Sequence, residues 1–179
     1  SAETRVKIGA TKDGTITAAT SSSISDGAAA VVLMTAAEAA KRGLKPLATI
    51  VASGAHSHEP AYFTTAPVPA MKKALEKYPD ARWTFVFLHH PLWLSPAPSG
   101  FAKIEKLLEG RRHTVIAGHF HRYLHEFRNS TNYYVLASTG GGSKLRGPRY
   151  GEFDHVTLVT VSDDGPVMAN ITLDGILPH

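Results

Sequence analysis

Three stretches concentrate the residues that could do chemistry: His56-Ser57-His58-Glu59, His89-His90-Pro91 and Gly118-His119-Phe120-His121. Ten histidines occur in 179 residues, and eight of them follow residue 78. Neutral imidazole is a ligand for zinc, manganese or iron. His119 and His121, two positions apart, project from one side of an extended segment, and Gly118 lets the backbone turn sharply ahead of them. That pattern suits a pair of divalent ions, which at about 3.5–4 Å apart hold a phosphate, activate a water and neutralise a leaving oxygen. Three ordinary loop histidines would show the same spacing, so both readings stand at this point. His113, His125 and His155 read as surface or core hydrogen-bonders. Cysteine is absent, which excludes disulfides, thiolate zinc sites and every mechanism with a cysteine nucleophile.

The histidines need strands to bring them together. Residues 83–88 form an unbroken aromatic and β-branched run that reads as a strand covered on both faces, with His89 at its carboxyl end. Phe101, Ile104, Leu107 and Leu108 make one apolar helix face, Gly110 stops that helix, and residues 114–117 form the next strand. This is a βαβ unit with parallel strands, so His89 and His119-Phe120-His121 leave the sheet at one edge. Further strands are expected over residues 133–138, 155–161 and 168–173, the last two joined by the turn Asp163-Asp164-Gly165-Pro166. The front part is Ala-rich, with strands expected over 15–19 and 47–52. Thr35 caps a helix over 36–42 that stops at Gly43, and Pro67 and Pro69 delay the next helix until Ala70. The expected fold class is α/β: a small mixed sheet from the front, a βαβ unit and C-terminal antiparallel strands, about ten strands in all.

The stretch from Phe85 through His89-His90-Pro91 to Trp93, with Gly118-His119-Phe120-His121 and Thr139-Gly140-Gly141-Gly142 after it, resembles the carboxyl half of a calcineurin-like metallophosphoesterase. The likeness covers residues 78–179. It implies that His89 and His119 share one metal ion (Mn, Zn or Fe), that His121 holds its neighbour, and that phosphate esters are the substrates. His90 would then serve beside the substrate as an acid, or pack against the site. The loop Ser143-Lys144-Leu145-Arg146 to Arg149 would offer phosphate its charges and backbone donors, or stand solvated. The family's amino half supplies Asp-x-His, Gly-Asp and Gly-Asn motifs, and none occurs here. Without a bridging carboxylate two dications repel each other, so the expectation is one ion at most.

The front resembles another family. Residues 14–34, 39–48 and 67–75 are similar to the central section of a thiolase, a likeness that covers residues 3–75. It implies coenzyme A beside Ser22, unless Ser22 is simply a turn serine, with Thr20 at the position before it where the family carries an asparagine-like residue. Thiolase chemistry requires two cysteines and a Gly-His-Pro histidine. The only Gly-His pair is Gly118-His119, followed by Phe120. The chain thus reads as two incomplete family fragments, 1–77 and 78–179, meeting in the helix between Pro69 and Asp80.

Nineteen basic against fifteen acidic residues give a formal charge of +4. That excess suits anionic small molecules, a phosphate ester or an acyl-CoA, and demands neither nucleic acid nor membrane. A cytoplasmic chain is expected, because the first residues lack a signal peptide's apolar core. Fragments that have lost partner surfaces should also self-associate through exposed apolar faces.

Overall fold

A computed structural model describes residues 30–50, 53–57, 59, 67–95 and 100–177. The chain divides into two compact units, Ser1–Lys77 and Tyr78–His179.

In the first unit, helix α1 spans Ala36–Lys41. Its Ala/Glu/Lys composition favours helix, and the Thr35 hydroxyl accepts from the Glu38 amide at 3.2 Å. Gly43, at φ +66°, ends it in the left-handed conformation that glycine adopts without strain. Helix α2 spans Pro67–Glu76, three residues earlier than the prolines suggested. Pro67 and Pro69 fall in the first turn, where the amides have no intrahelical acceptor and proline's fixed φ is already helical. Lys73 donates to the Ala55 carbonyl at 3.0 Å. The small mixed sheet expected from the front is not found: no strand lies before Thr84 among the described residues. Residues 47–50 are irregular, and Leu47 and Ile50 are exposed, as are Val31, Val32 and Leu33. Apolar, β-prone sequence forms a strand only where a neighbour satisfies its amides and covers its side chains. The segment 15–19 lies outside the described residues.

The second unit carries the α/β fold expected from the sequence. Strand β1 (Thr84–Phe87) leads through helix α3 (Phe101–Leu108) to strand β2 (His113–Ala117), and β1 and β2 are parallel, with Phe87 opposite Ile116. Strand β3 (Leu124–Arg128) and strand β4 (Thr131–Val135) form a hairpin, and β4 lies parallel to β2, giving the order β1-β2-β4-β3. Phe101, Ile104 and Leu108 of α3 are buried against one face of this sheet, where Phe101 and Trp93 meet the ring of Tyr133. The other face carries Ile116 and Tyr134, which pack with Met168 of a second sheet. That sheet is antiparallel, with β5 (Val156–Val161), β6 (Pro166–Thr172) and β7 (Gly175–Leu177) in order.

Two expectations change here. β2, not β1, is the strand covered on both faces: every β2 residue is buried, whereas β1 is an edge strand whose Phe87 is 71% exposed. The described residues hold seven strands rather than about ten. The second sheet also has only one covered side. Met168 and Asn170 face inward, while Val156, Leu158, Val167, Ile171 and Ile176 face solvent. Among the described residues no helix is long and apolar enough to cross a membrane.

Candidate functional site

Parallel pairing places the chain leaving β1 beside the chain leaving β2. The ladder runs past both strand ends, with Leu88 donating to the Ile116 carbonyl and Gly118 donating to the His89 carbonyl, both at 3.1 Å. This registers His89 next to His119. The backbone then kinks: Phe120 donates back to the Gly118 carbonyl at 2.9 Å, and His119 and His121 take φ of +74° and +51°. A left-handed residue other than glycine costs about 1–2 kcal/mol, a strain that persists where the surroundings over-determine the conformation.

Three imidazoles converge at this edge. His119 Nδ1 lies 3.3 Å from His89 Nε2. Ring nitrogens of His89, His90 and His119 all lie within 4.8 Å of one another. The His90 and His119 ring centroids are 3.7 Å apart, and His89 is 5.1 Å from each. The His119 pKa is lowered by burial first, and then by the neighbouring His90, His89 and His121. Burial, with His89 second, lowers that of His90 as well. Both shifts favour neutral rings, the form that binds metal.

The donor set fits one ion. Nitrogens about 2.0–2.1 Å from a tetrahedral centre are about 3.4 Å apart, close to the separation of the His89–His119 pair. Among the described residues no carboxylate joins this group. His90, expected as an acid beside substrate or as packing, is inside the cluster. His121, expected as a ligand to a second ion, is outside the trio, with Nδ1 2.6 Å from the Gly142 carbonyl oxygen. The loop bearing Gly142 is held in turn by Asp154, which accepts from Ser138 Oγ at 2.9 Å and from the Gly140 amide at 3.0 Å. Asp154 is thus used in holding the loop.

The basic loop is less available for phosphate than its charges suggest. Arg146 grips Glu152 with two bonds, 2.8 Å and 2.5 Å, and lies 4.5 Å from the Tyr150 ring centroid. The Glu152 carboxyl is held below its ordinary range, chiefly by the hydrogen bond from Arg146. Ser22 and His58 lie outside the described residues.

Part of the chain is thiolase-like sequence. The family model for the N-terminal domain of thiolases matches residues 5–37. An acetyl-CoA acetyltransferase of Rhizobium meliloti (strain 1021) is 53% identical over 66 residues, which is 37% of this chain and 17% of the relative. One from Paracoccus denitrificans is 52% identical over 66 residues, with the same shares of the two chains. The beta-ketothiolase BktB of Cupriavidus necator is 50% identical over 66 residues, again 37% of this chain and 17% of the relative. The matches therefore span about 17% of these relatives' length. No solved structure matches the chain. The comparisons lend no support to the calcineurin-like resemblance of residues 78–179.

Proposed function

We propose that the thiolase-like front binds an acyl-CoA and transfers no acyl group. The observation that carries this reading is the 53% identity to an acetyl-CoA acetyltransferase in a chain that has no cysteine. Without a thiol there is no nucleophile of the kind thiolase chemistry uses, so only contact with the cofactor is left to the segment. Ser22 is the residue assigned to that contact. Calorimetric titration with coenzyme A tests it, expecting one saturable site that Ser22→Trp weakens at least tenfold. A flat isotherm removes the reading.

A second reading belongs to Tyr78–His179 and rests on a separate observation, the three imidazoles gathered where β1 and β2 end. It is metal-dependent hydrolysis of phosphate esters. A bound ion would supply a polarised phosphoryl oxygen and an acidified water. The chain's own part is to hold His89 and His119 in register through the β1–β2 ladder and to anchor the neighbouring glycine loop through His121 and Asp154. Turnover of p-nitrophenyl phosphate that depends on added zinc or manganese, and that His119→Ala abolishes, is the expected result. Metal-independent turnover, or none, refutes this reading.

A further inference from the structure

We infer that His89, His90 and His119 form a mononuclear site of three imidazoles, with His90 in place of His121 as the third ligand and zinc, nickel or copper preferred over manganese. The inference rests on the metal part of the second reading above and goes beyond it in ligand set and metal class.

The ligand set follows from geometry. The ring nitrogens of the three histidines already lie within 4.8 Å of one another. A four-coordinate ion with bonds of about 2.0–2.1 Å needs nitrogens about 3.4 Å apart, so the rings need only small rotations about side-chain bonds. His89 and His90 are exposed, which leaves those rotations unhindered by packing. His121 is differently placed. Its left-handed backbone, at φ +51°, directs it to the glycine loop, and its Nδ1 is engaged by the Gly142 carbonyl. The loop in turn is pinned by Asp154. Moving His121 toward the cluster breaks its bond to Gly142, whereas the His90 ring already lies in the cluster. The contact between His119 Nδ1 and His89 Nε2 is the one an ion would replace, because a proton shared between two nitrogens gives way to a cation bound by both.

Stoichiometry follows from charge. A second dication within about 4 Å of the first needs an anionic bridge, and among the described residues no carboxylate shares the cluster. Metal class follows from ligand chemistry. Neutral nitrogen donors without oxygen anions bind zinc, nickel and copper well, and manganese, at the weak end of the divalent series, poorly. Three protein ligands also leave one position of a tetrahedral ion for water or an anion.

The test uses the full chain and the metal ions alone, in competition with a chromophoric chelator. Zinc is expected to bind one equivalent and manganese about 100-fold more weakly. His90→Ala, like His89→Ala and His119→Ala, should weaken zinc about 1,000-fold, more than the roughly 10–100-fold that loss of an outer-sphere partner costs, while His121→Ala changes affinity less than threefold. Cobalt substitution should give the intense visible bands of a four-coordinate ion, and His90→Ala should weaken them. Tryptophan emission spectra confirm that each variant is folded. Two equivalents of zinc, or a loss on His121→Ala with none on His90→Ala, overturns the inference while leaving the metal reading intact. Manganese within tenfold of zinc overturns the metal preference. No zinc binding at all overturns both.

Discussion

Removing the Glu105 carboxylate should destabilise the second unit by about 2–3 kcal/mol. Glu105 projects from α3 with its side chain 15% exposed, and Arg128, on β3, is 33% exposed. The carboxylate accepts from Arg128 Nε at 2.9 Å and Nη2 at 3.3 Å, from Asn129 Nδ2 at 3.2 Å and from the Tyr133 hydroxyl at 3.3 Å. A hydrogen-bonded pair of charges is worth about 1.5–3 kcal/mol, and Arg128 can rehydrate through its exposed third, which argues for the lower end. The orphaned Tyr133 hydroxyl, set in an otherwise buried residue, adds about 1 kcal/mol. Glu105→Gln keeps an acceptor for one donor and should cost about 1 kcal/mol. Both tryptophans, Trp83 and Trp93, lie in this unit, and Trp93 sits 5.1 Å from the Tyr133 ring. Urea unfolding followed by tryptophan emission therefore reports this unit by itself. At constant slope, Glu105→Ala should lower the midpoint by about 1–2 M. A loss below about 0.5 kcal/mol, or equal losses for the Ala and Gln variants, would falsify the view that this carboxylate ties α3 to the β3–β4 hairpin.

Three further outcomes are expected. His155 is buried, with Nδ1 unpartnered among the described residues, and burial lowers its pKa more than the Phe153 backbone and Asp154 raise it. The unfolded chain then takes up the proton first, so stability is complete above about pH 6.5 and declines as the pH falls below it; His155→Gln should flatten the urea midpoint between pH 7.5 and 5.5. The Tyr133 phenol is pushed up to about 12, by burial first and Glu105 second. A spectrophotometric alkaline titration should show one tyrosine ionising last, with Tyr133→Phe removing that step. Because the unfolded phenol ionises near 10, stability drawn from the neutral form is lost as the pH rises above about 10. Gly151 has φ +68°, and a Cβ there would clash with the backbone carbonyl oxygen of Tyr123. Gly151→Ala should lower the melting temperature of the second unit by about 10 °C, whereas Gly43→Ala, at φ +66° with open space around it, should cost only about 1 kcal/mol in the first unit.

The parts of this molecule most legible in its sequence are those whose signals are local. Thr35 and Gly43 bracket α1, and the apolar spacing of Phe101, Ile104 and Leu108 gives the buried side of α3. The βαβ order was enough to bring His89 and His119 to one edge. Two strands carry no clear signal in the sequence, for physical reasons. β3 alternates inward Leu124 and Glu126 with outward His125 and Phe127, so its pattern follows packing and pairing more than hydrophobicity. β7, at three residues, is shorter than any periodicity can show. The front erred in the opposite direction. Residues 47–50 are apolar enough for a strand, yet Leu47 and Ile50 stay exposed with no strand beside them among the described residues. At the site, motif spacing favoured His121 over His90, because sequence registers the alternation along a strand and not the left-handed turns at His119 and His121 that reverse it. The hold of Asp154 on the glycine loop likewise depends on a contact across sixteen positions that no local pattern announces.

The outward side of β5–β6–β7 has a practical consequence for anyone handling the protein. Val156, Leu158, Val167, Ile171 and Ile176 give a fluorescent hydrophobic probe such as ANS a place to adsorb on the fully native protein. Bright dye emission at room temperature would then mark a folded sample rather than a molten one. Dye-based melting curves would start high and flatten, while the two tryptophans of the same unit continue to report its cooperative loss of structure.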